Sequence, residues 1–248
     1  QDLEKLLPYF DWSPFFRSWE LHGKYPDILK DEVVGNQATE LFQDAQKVLW
    51  DLIQHKRLTA KAIFGLFPAH SVKDDIVVKD ETGNQLATFI TLRQQLKKSE
   101  GKKYLALSDF IAPEDSGIKD YMGCFCVSAG FGTEELAQKY REAHDDYTAI
   151  LVQALADRFA EAFAEYLHHE VRTHYWGYAS DENLDNEQLI KEEYKGIRPA
   201  PGYPACPDHL DKNTIWKLLQ VEEKIGVQLT EGLAMWPAAS VSGYYFSH

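Results

Sequence analysis

The sequence predicts a single α+β domain in which long helices pack on a central, largely antiparallel twisted sheet. Two long stretches, 35–55 and 145–175, repeat apolar residues at helical spacing. Between and after them lie short apolar or alternating runs bounded by turn residues, the pattern of strands. No internal repeat or low-complexity linker divides the 248 residues, so one domain spanning 1–248 is a simpler account than two.

In chain order, Ala38, Leu41, Phe42, Ala45, Val48, Leu49, Leu52 and Ile53 form the apolar side of the first long helix. The sheet begins with Ala62 to Phe67. It continues as a hairpin, Ile76 to Lys79 and Ala87 to Thr91, whose tip, Asp80-Glu81-Thr82-Gly83-Asn84, is expected to be exposed. Cys124, Cys126 and Ser128 alternate with Phe125 and Val127, so the two cysteines share one face of a strand. The second long helix opens at Asp145-Asp146, where acids suit the helix dipole, and carries Ile150, Leu151, Leu155, Phe163 and Leu167 on its apolar side. A short helix near 186–194, a proline-rich segment, a helix over 213–225 stopped by Gly226, and short terminal strands complete the reading.

Composition narrows the function. With 44% hydrophobic residues and 13% aromatics the chain can fill a sizeable core. A formal charge of −13 repels phosphate backbones, and the only lysine clusters, Lys97-Lys98 and Lys102-Lys103, are small, so nucleic acid is not an expected partner. Apolar runs such as 62–67 stop well short of the roughly 20 residues of a membrane span, so no membrane partner is expected either. The charged, amphipathic opening Gln1-Asp2-Leu3-Glu4-Lys5 is unlike a signal peptide, and three cysteines without a CxxC pair suit a reducing compartment, so the expected location is cytoplasmic.

The most unusual stretch is Arg198-Pro199-Ala200-Pro201-Gly202-Tyr203-Pro204-Ala205-Cys206-Pro207-Asp208-His209. Proline fixes φ and removes a donor, so between Pro199 and Pro207 only Ala200, Gly202, Tyr203, Ala205 and Cys206 can offer a backbone N–H. Gly202 permits close approach to the backbone, and Arg198 supplies a planar fork suited to a carboxylate. From the residues alone this is either a rigid ligand loop or a rigid surface connection. Other signals fail on spacing. His169 and His174 lie five apart, about 140° around a helix, so they cannot share a metal, and Gly130-Phe131-Gly132 lacks the third glycine of a nucleotide loop. No metal site and no separate catalytic residue is assigned.

The proline-rich stretch resembles the ligand-binding signature of the S-adenosylmethionine-binding reactivation domain of cobalamin-dependent methionine synthase. The resemblance extends in order through Asp11-Trp12-Ser13-Pro14-Phe15-Phe16, Gly23-Lys24-Tyr25-Pro26, Leu92-Arg93-Gln94-Gln95, Asp109-Phe110-Ile111-Ala112-Pro113, Ala160-Glu161-Ala162-Phe163-Ala164-Glu165 and Ser240-Val241-Ser242-Gly243-Tyr244-Tyr245-Phe246-Ser247, nearly the whole chain. It implies an S-adenosylmethionine site in which Arg198 pairs with the ligand's carboxylate. Ala200, Gly202 and Tyr203 supply backbone and ring contacts around the adenosyl part, and Asp11, Glu161 and Glu192 are acidic contacts for a ligand with two positive groups. It also implies that Asp157 meets the cobalamin-binding domain of the same enzyme, with no second acid assigned near Thr133-Glu134-Glu135. The implied electron donor is flavodoxin or a flavoprotein reductase, and the implied role is to present a methyl group for remethylation of an inactive cobalamin held on the separate domain. The family pattern runs past His248 into a segment with further ligand-contacting tyrosines, so the chain is expected to lack that segment.

Each residue also has a plainer reading: a turn or N-cap aspartate for Asp11, a solvated helix face for Glu161 and Glu192, and a surface ion pair for Asp157. Two rival functions stand beside the first. An autonomous methyltransferase would carry a glycine-rich strand-to-helix loop, and a docking module without a ligand would leave Arg198 and its proline frame without a purpose.

Overall fold

Strand alternation places neighbouring side chains on opposite faces of a sheet, and here both faces are buried. The computed structural model describes residues 2–248, so Gln1 of the amphipathic opening lies outside the described residues. A 3₁₀ turn over Leu3–Tyr9 leads into α1 (Ser13–Ser18) and α2 (Gly35–Gln54). Next come β1 (Thr59–Val72), β2 (Asp75–Lys79), β3 (Gln85–Ile90) and β4 (Asp120–Phe131), then α3 (Thr133–Glu142) and α4 (Asp146–Glu170). A π-helical turn, Val171–Tyr175, extends α4. The chain ends with α5 (Asn186–Ile190), α6 (Asp211–Leu219), α7 (Val221–Ile225), β5 (Gln228–Leu229), β6 (Met235–Trp236) and β7 (Ser240–Tyr245).

Five strands form one sheet in the order β3-β2-β1-β4-β7, every neighbouring pair antiparallel. On one face Phe125, Val127, Ala129 and Tyr245 pack against α2 and α4 and against Phe10, Trp12, Phe15 and Phe16 near the N-terminus. On the other, Cys124, Cys126, Tyr244 and Phe246 pack against Ile215, Trp216 and Leu219 of α6. Cys124 and Cys126 therefore do share a face, and the hairpin tip at 81–84 is exposed, as the alternation and turn residues predict.

Three expectations on the elements need correction. The first strand runs well beyond 62–67 at both ends, because β4 pairs with it from Thr59 to Ala69 and β2 takes it on to Val72. The helix placed over 213–225 is two, broken where Gln220 adopts the left-handed conformation at φ 55°. The predicted helix over 186–194 ends at Ile190, and the next turn leaves Glu192 left-handed at φ 56°. One helix, α3, went unread. Gly132 opens it at φ 95°, and a β-carbon there would sit 2.7 Å from the Arg57 carbonyl oxygen, so the position demands glycine.

Candidate functional site

The Arg198 loop is seated on the end of β7. Ile197 and Phe246 exchange two backbone hydrogen bonds at 2.9 and 3.1 Å, and the Tyr244 N–H donates to the Pro199 carbonyl at 2.9 Å. Gly243 allows this approach, since a β-carbon there would lie 2.4 Å from the Pro199 oxygen. Beyond Pro199 the loop closes on itself. The Gly202 N–H donates to Cys206 O at 2.7 Å, Tyr203 N–H to Ala200 O at 3.4 Å and Cys206 N–H to Tyr203 O at 2.9 Å. Of the five donors the sequence allows, only those of Ala200 and Ala205 remain without a protein partner among the described residues. Gly202 is held at φ +97°, and a β-carbon would strike the His209 ring at 2.2 Å, so its glycine serves the loop's own packing. The Tyr203 ring stands 65% exposed.

Ile197 is in register with Phe246 and packs beside it on the α6 face, whereas Arg198 turns its guanidinium to the α4 face. There α4 presents Asp157, Glu161 and Glu165 at intervals of four, followed by His168 and then Arg172 of the π turn. At about 100° per residue all five fall within a stripe roughly 80° wide. The stripe runs from exposed Asp157 and Glu161 to enclosed Glu165 and fully buried His168 and Arg172. Its enclosed charges have ionic partners: Arg198 Nη2 donates to Glu165 Oε2 at 2.9 Å. Arg172 forms a two-point bond to Glu182, Nε to Oε2 at 2.8 Å and Nη2 to Oε1 at 2.7 Å. Tyr194 lies over the Arg172 guanidinium at 4.2 Å and edge-on to His168. The other face of the His168 ring stacks on Tyr245 at 5.1 Å.

This ensemble leaves many buried polar atoms without partners: Glu165 Oε1, both His168 nitrogens, Arg172 Nη1, Tyr178 OH, Arg198 Nε and Tyr245 OH. Such groups are normally satisfied, so their concentration in one place marks a locale prepared for something further. Burial, reinforced by Arg172 and Arg198, holds the His168 imidazolium pKa well below its usual value and keeps the ring neutral. Burial is the largest influence on Arg198 and disfavours its charge, but Glu165 together with Tyr194, Tyr245 and Glu161 outweighs it and raises the pKa.

The remaining sequence-predicted residues fall into two groups. Glu161 and Glu192 belong with Arg198: Glu161 acts electrostatically on the Arg198 guanidinium, and Glu192 on Tyr194. Asp11 accepts from the Ser13 N–H at 2.9 Å beside a groove of about 390 Å3 between Lys24-Tyr25-Pro26 and α5, where Asn186 Nδ2 donates to the Phe10 carbonyl at 3.1 Å. Its carboxylate has no direct bond to the Arg198 ensemble. Asp157 opens onto a cleft of about 360 Å3 lined by Gly130–Glu135, Gln153 and Trp236–Ala239. Although the residue reaches solvent, the cleft walls partly desolvate its carboxyl, and this, with a smaller push from Glu161, raises its pKa against the pull of Arg158. Of the two histidines set aside on spacing, His169 Nδ1 meets the Tyr9 hydroxyl at 3.0 Å and exposed His174 contacts Thr173, and each ring also lies 3.9 Å from Glu170.

Sequence reasoning missed Glu165 and Arg172. Glu165 continues the four-residue interval from Asp157, a signal available in the sequence. Arg172 was hidden inside the rejected histidine motif, and its partner Glu182 lies in an irregular loop that no periodicity marks.

An antiparallel sheet whose last strand clasps a proline-framed arginine loop against an ionisable helix stripe defines a ligand-binding module. Residues 2–248 match the family described as vitamin B12 dependent methionine synthase, activation domain, and the chain belongs to that family. It is 55% identical to a solved structure of the MetH reactivation domain bound to AdoHcy, with a TM-score of 0.96, and the match covers 100% of this chain and 77% of that one. The α+β expectation with its antiparallel sheet agrees with that structural match. No helix among the described residues is long and apolar enough to cross a membrane.

Proposed function

We propose that this chain binds S-adenosylmethionine at the Arg198 loop and presents the ligand's methyl group to a cobalamin held on a separate domain of methionine synthase. The observation that carries the reading is the Arg198 guanidinium. Nε and Nη2 are turned inward, Nε without a partner and Nη2 on Glu165, so Nη1 is the nitrogen left for an incoming carboxylate. That geometry suits the ligand's amino-acid carboxylate, and a charge-assisted bond of this kind contributes about 1.5–3 kcal/mol.

The neighbouring groups fit the rest of such a ligand. Glu161, Glu192 and Asp11 supply negative charge for the ammonium and sulfonium, Ala200 keeps a free N–H, and the exposed Tyr203 ring offers a stacking face. When bound, S-adenosylmethionine would supply the methyl group with which the family restores oxidised cobalamin. The chain's own contribution is to hold that group at a fixed place, since transfer by proximity requires the two domains to dock. Asp157 and its cleft are the proposed contact with the cobalamin-binding domain. Flavodoxin or a flavoprotein reductase is the proposed electron donor. Those donors are commonly acidic, and Lys97, Lys98, Lys102 and Lys103, none of them in an ion pair among the described residues, give this acidic chain a basic stretch to meet one. The autonomous-methyltransferase alternative loses ground, because β4, which leads through Gly132 into α3, is antiparallel to both its neighbours and so is not the parallel strand of a nucleotide-binding βαβ unit.

Thermal unfolding with and without S-adenosylmethionine tests the reading. Ligand at about 100 times its dissociation constant should stabilise by roughly 2.7 kcal/mol, a rise of roughly 5–10 °C. The rise should vanish in Arg198→Ala. No rise at saturating ligand in the parent chain would discard the site.

A further inference from the structure

Arg198 is a long, flexible side chain, yet its useful pose depends on keeping two of its three nitrogens inward. The group that holds Nη2, and with it the plane of the guanidinium, is Glu165, one turn of α4 beyond Glu161 and itself largely enclosed, with its side chain 14% exposed. Glu165 is held in turn from behind. Its second oxygen, Oε1, lies 3.7 Å from Arg172 Nη1, beyond hydrogen-bond reach, and both atoms are buried without partners. Arg172 cannot drift, because Glu182 grips it at two points and Tyr194 covers its face. The four charges therefore form a line, Glu182–Arg172–Glu165–Arg198, anchored at the buried end and open at the Arg198 end.

We infer that Glu165 is a positioning residue for ligand recognition: it orients Arg198 so that Nη1 faces the ligand's carboxylate, with Arg172 and Glu182 as its fixed support. This inference rests on the S-adenosylmethionine reading above and assigns specificity within that site. The line also explains how Arg198 can accept a second carboxylate without losing its place. As the ligand draws charge from the guanidinium, Glu165 Oε1 can close the remaining roughly 0.5–1 Å onto Arg172 Nη1, exchanging part of one ion pair for another. Two arginines and two glutamates balance, so the ligand's carboxylate enters a neutral cluster and is recognised by directed N–H geometry more than by net charge.

The test compares S-adenosylmethionine with its decarboxylated form by calorimetry on the full chain, for the parent, Glu165→Gln and Glu165→Ala. The parent should prefer the carboxylate-bearing ligand. Glu165→Gln keeps the shape and one acceptor oxygen but loses the charge-assisted bond, so it should weaken S-adenosylmethionine binding about fivefold while decarboxylated ligand stays within about twofold. Glu165→Ala should lose more of the preference, and if it fails to fold, the glutamine variant decides alone. In the ligand-free protein, 15N spectra of the arginine side chains should show hindered rotation of the Arg198 guanidinium in the parent and averaging in both variants. An unchanged ratio of the two affinities in Glu165→Gln, or an equal loss for both ligands, overturns the positioning role while leaving the binding site standing. A parent that binds neither ligand removes the S-adenosylmethionine reading and this inference with it.

Discussion

Tyr244 and Tyr245 are consecutive residues of one strand, both fully buried, and they meet opposite fates. Tyr244 turns to the α6 face, where its hydroxyl donates to Asp211 at 2.9 Å beside the Cys206 thiol, itself 3.4 Å from the same carboxylate. Tyr245 turns to the α4 face, stacks between Phe125 and His168, and leaves its hydroxyl without a partner. The α6 face thus satisfies this polar group within a small, closed cluster. The α4 face gathers two arginines, two glutamates and a neutral histidine and leaves seven atoms of the region unpaired. Both clusters touch the Arg198 loop, one through Cys206 at its far end and one through Arg198 at its start. The contrast separates two tasks of the same loop: Cys206 fastens it, and Arg198 works from it.

Substitutions that strike each cluster can break this division, and the largest effect is expected on the ionic side. Arg172→Met removes a fully buried cation and leaves Glu182 and Glu165 enclosed without it, which should cost about 3–5 kcal/mol in denaturant unfolding. A loss below about 1 kcal/mol would mean that the line of charges does not act as a buried support. Gly243→Ala comes next. Its new methyl collides with the Pro199 carbonyl, and shifting the loop off β7 should cost about 1–3 kcal/mol together with ligand affinity. Unaltered affinity would show that the loop's seat on β7 does not position Arg198.

How much of this contrast the sequence discloses depends on range. Alternation along 124–128 announces two buried faces, and Asp145 is legible as a helix start, its carboxylate accepting from the Thr148 N–H at 3.0 Å. The proline loop declares its rigidity residue by residue. What stays hidden is who meets whom across the chain: Arg172 with Glu182, Glu165 with Arg198, Tyr244 with Asp211. Those pairings depend on how the long helix and β7 come together, and local propensity does not encode it. Gln220 is illegible for a related reason: a non-glycine residue in the left-handed region is imposed by the packing of α6 and α7 on the sheet, against its own preference.

The closed cluster makes a pH-dependent prediction. Burial raises the Asp211 pKa, while the Tyr244 and Cys206 hydrogen bonds pull it down, so the folded pKa stands above that of the unfolded chain. A carboxyl group shifted in this direction favours the fold below its unfolded pKa, and that contribution is lost as pH rises through the folded value. Tyr244→Phe removes a bond that favours the carboxylate, raising the folded pKa further. It should therefore cost about 1–2 kcal/mol near pH 7 and progressively less toward pH 4, as unfolding curves across that range would show. A cost independent of pH would mean that the hydroxyl matters only for packing.

Tyr245→Phe should give the smallest change and sharpen the comparison most. Its hydroxyl is buried without a partner, and the aromatic stack on His168 and Phe125 survives the substitution, so stability should move by less than about 0.5 kcal/mol or rise slightly. A loss above about 1 kcal/mol would reveal that an ordered water satisfies this hydroxyl, and at this position the α4 cluster would match its counterpart. If stability holds but S-adenosylmethionine affinity falls, the hydroxyl acquires its partner only in the complex. Two adjacent tyrosines would then divide the work of one strand, Tyr244 maintaining the fold and Tyr245 held in reserve for the ligand.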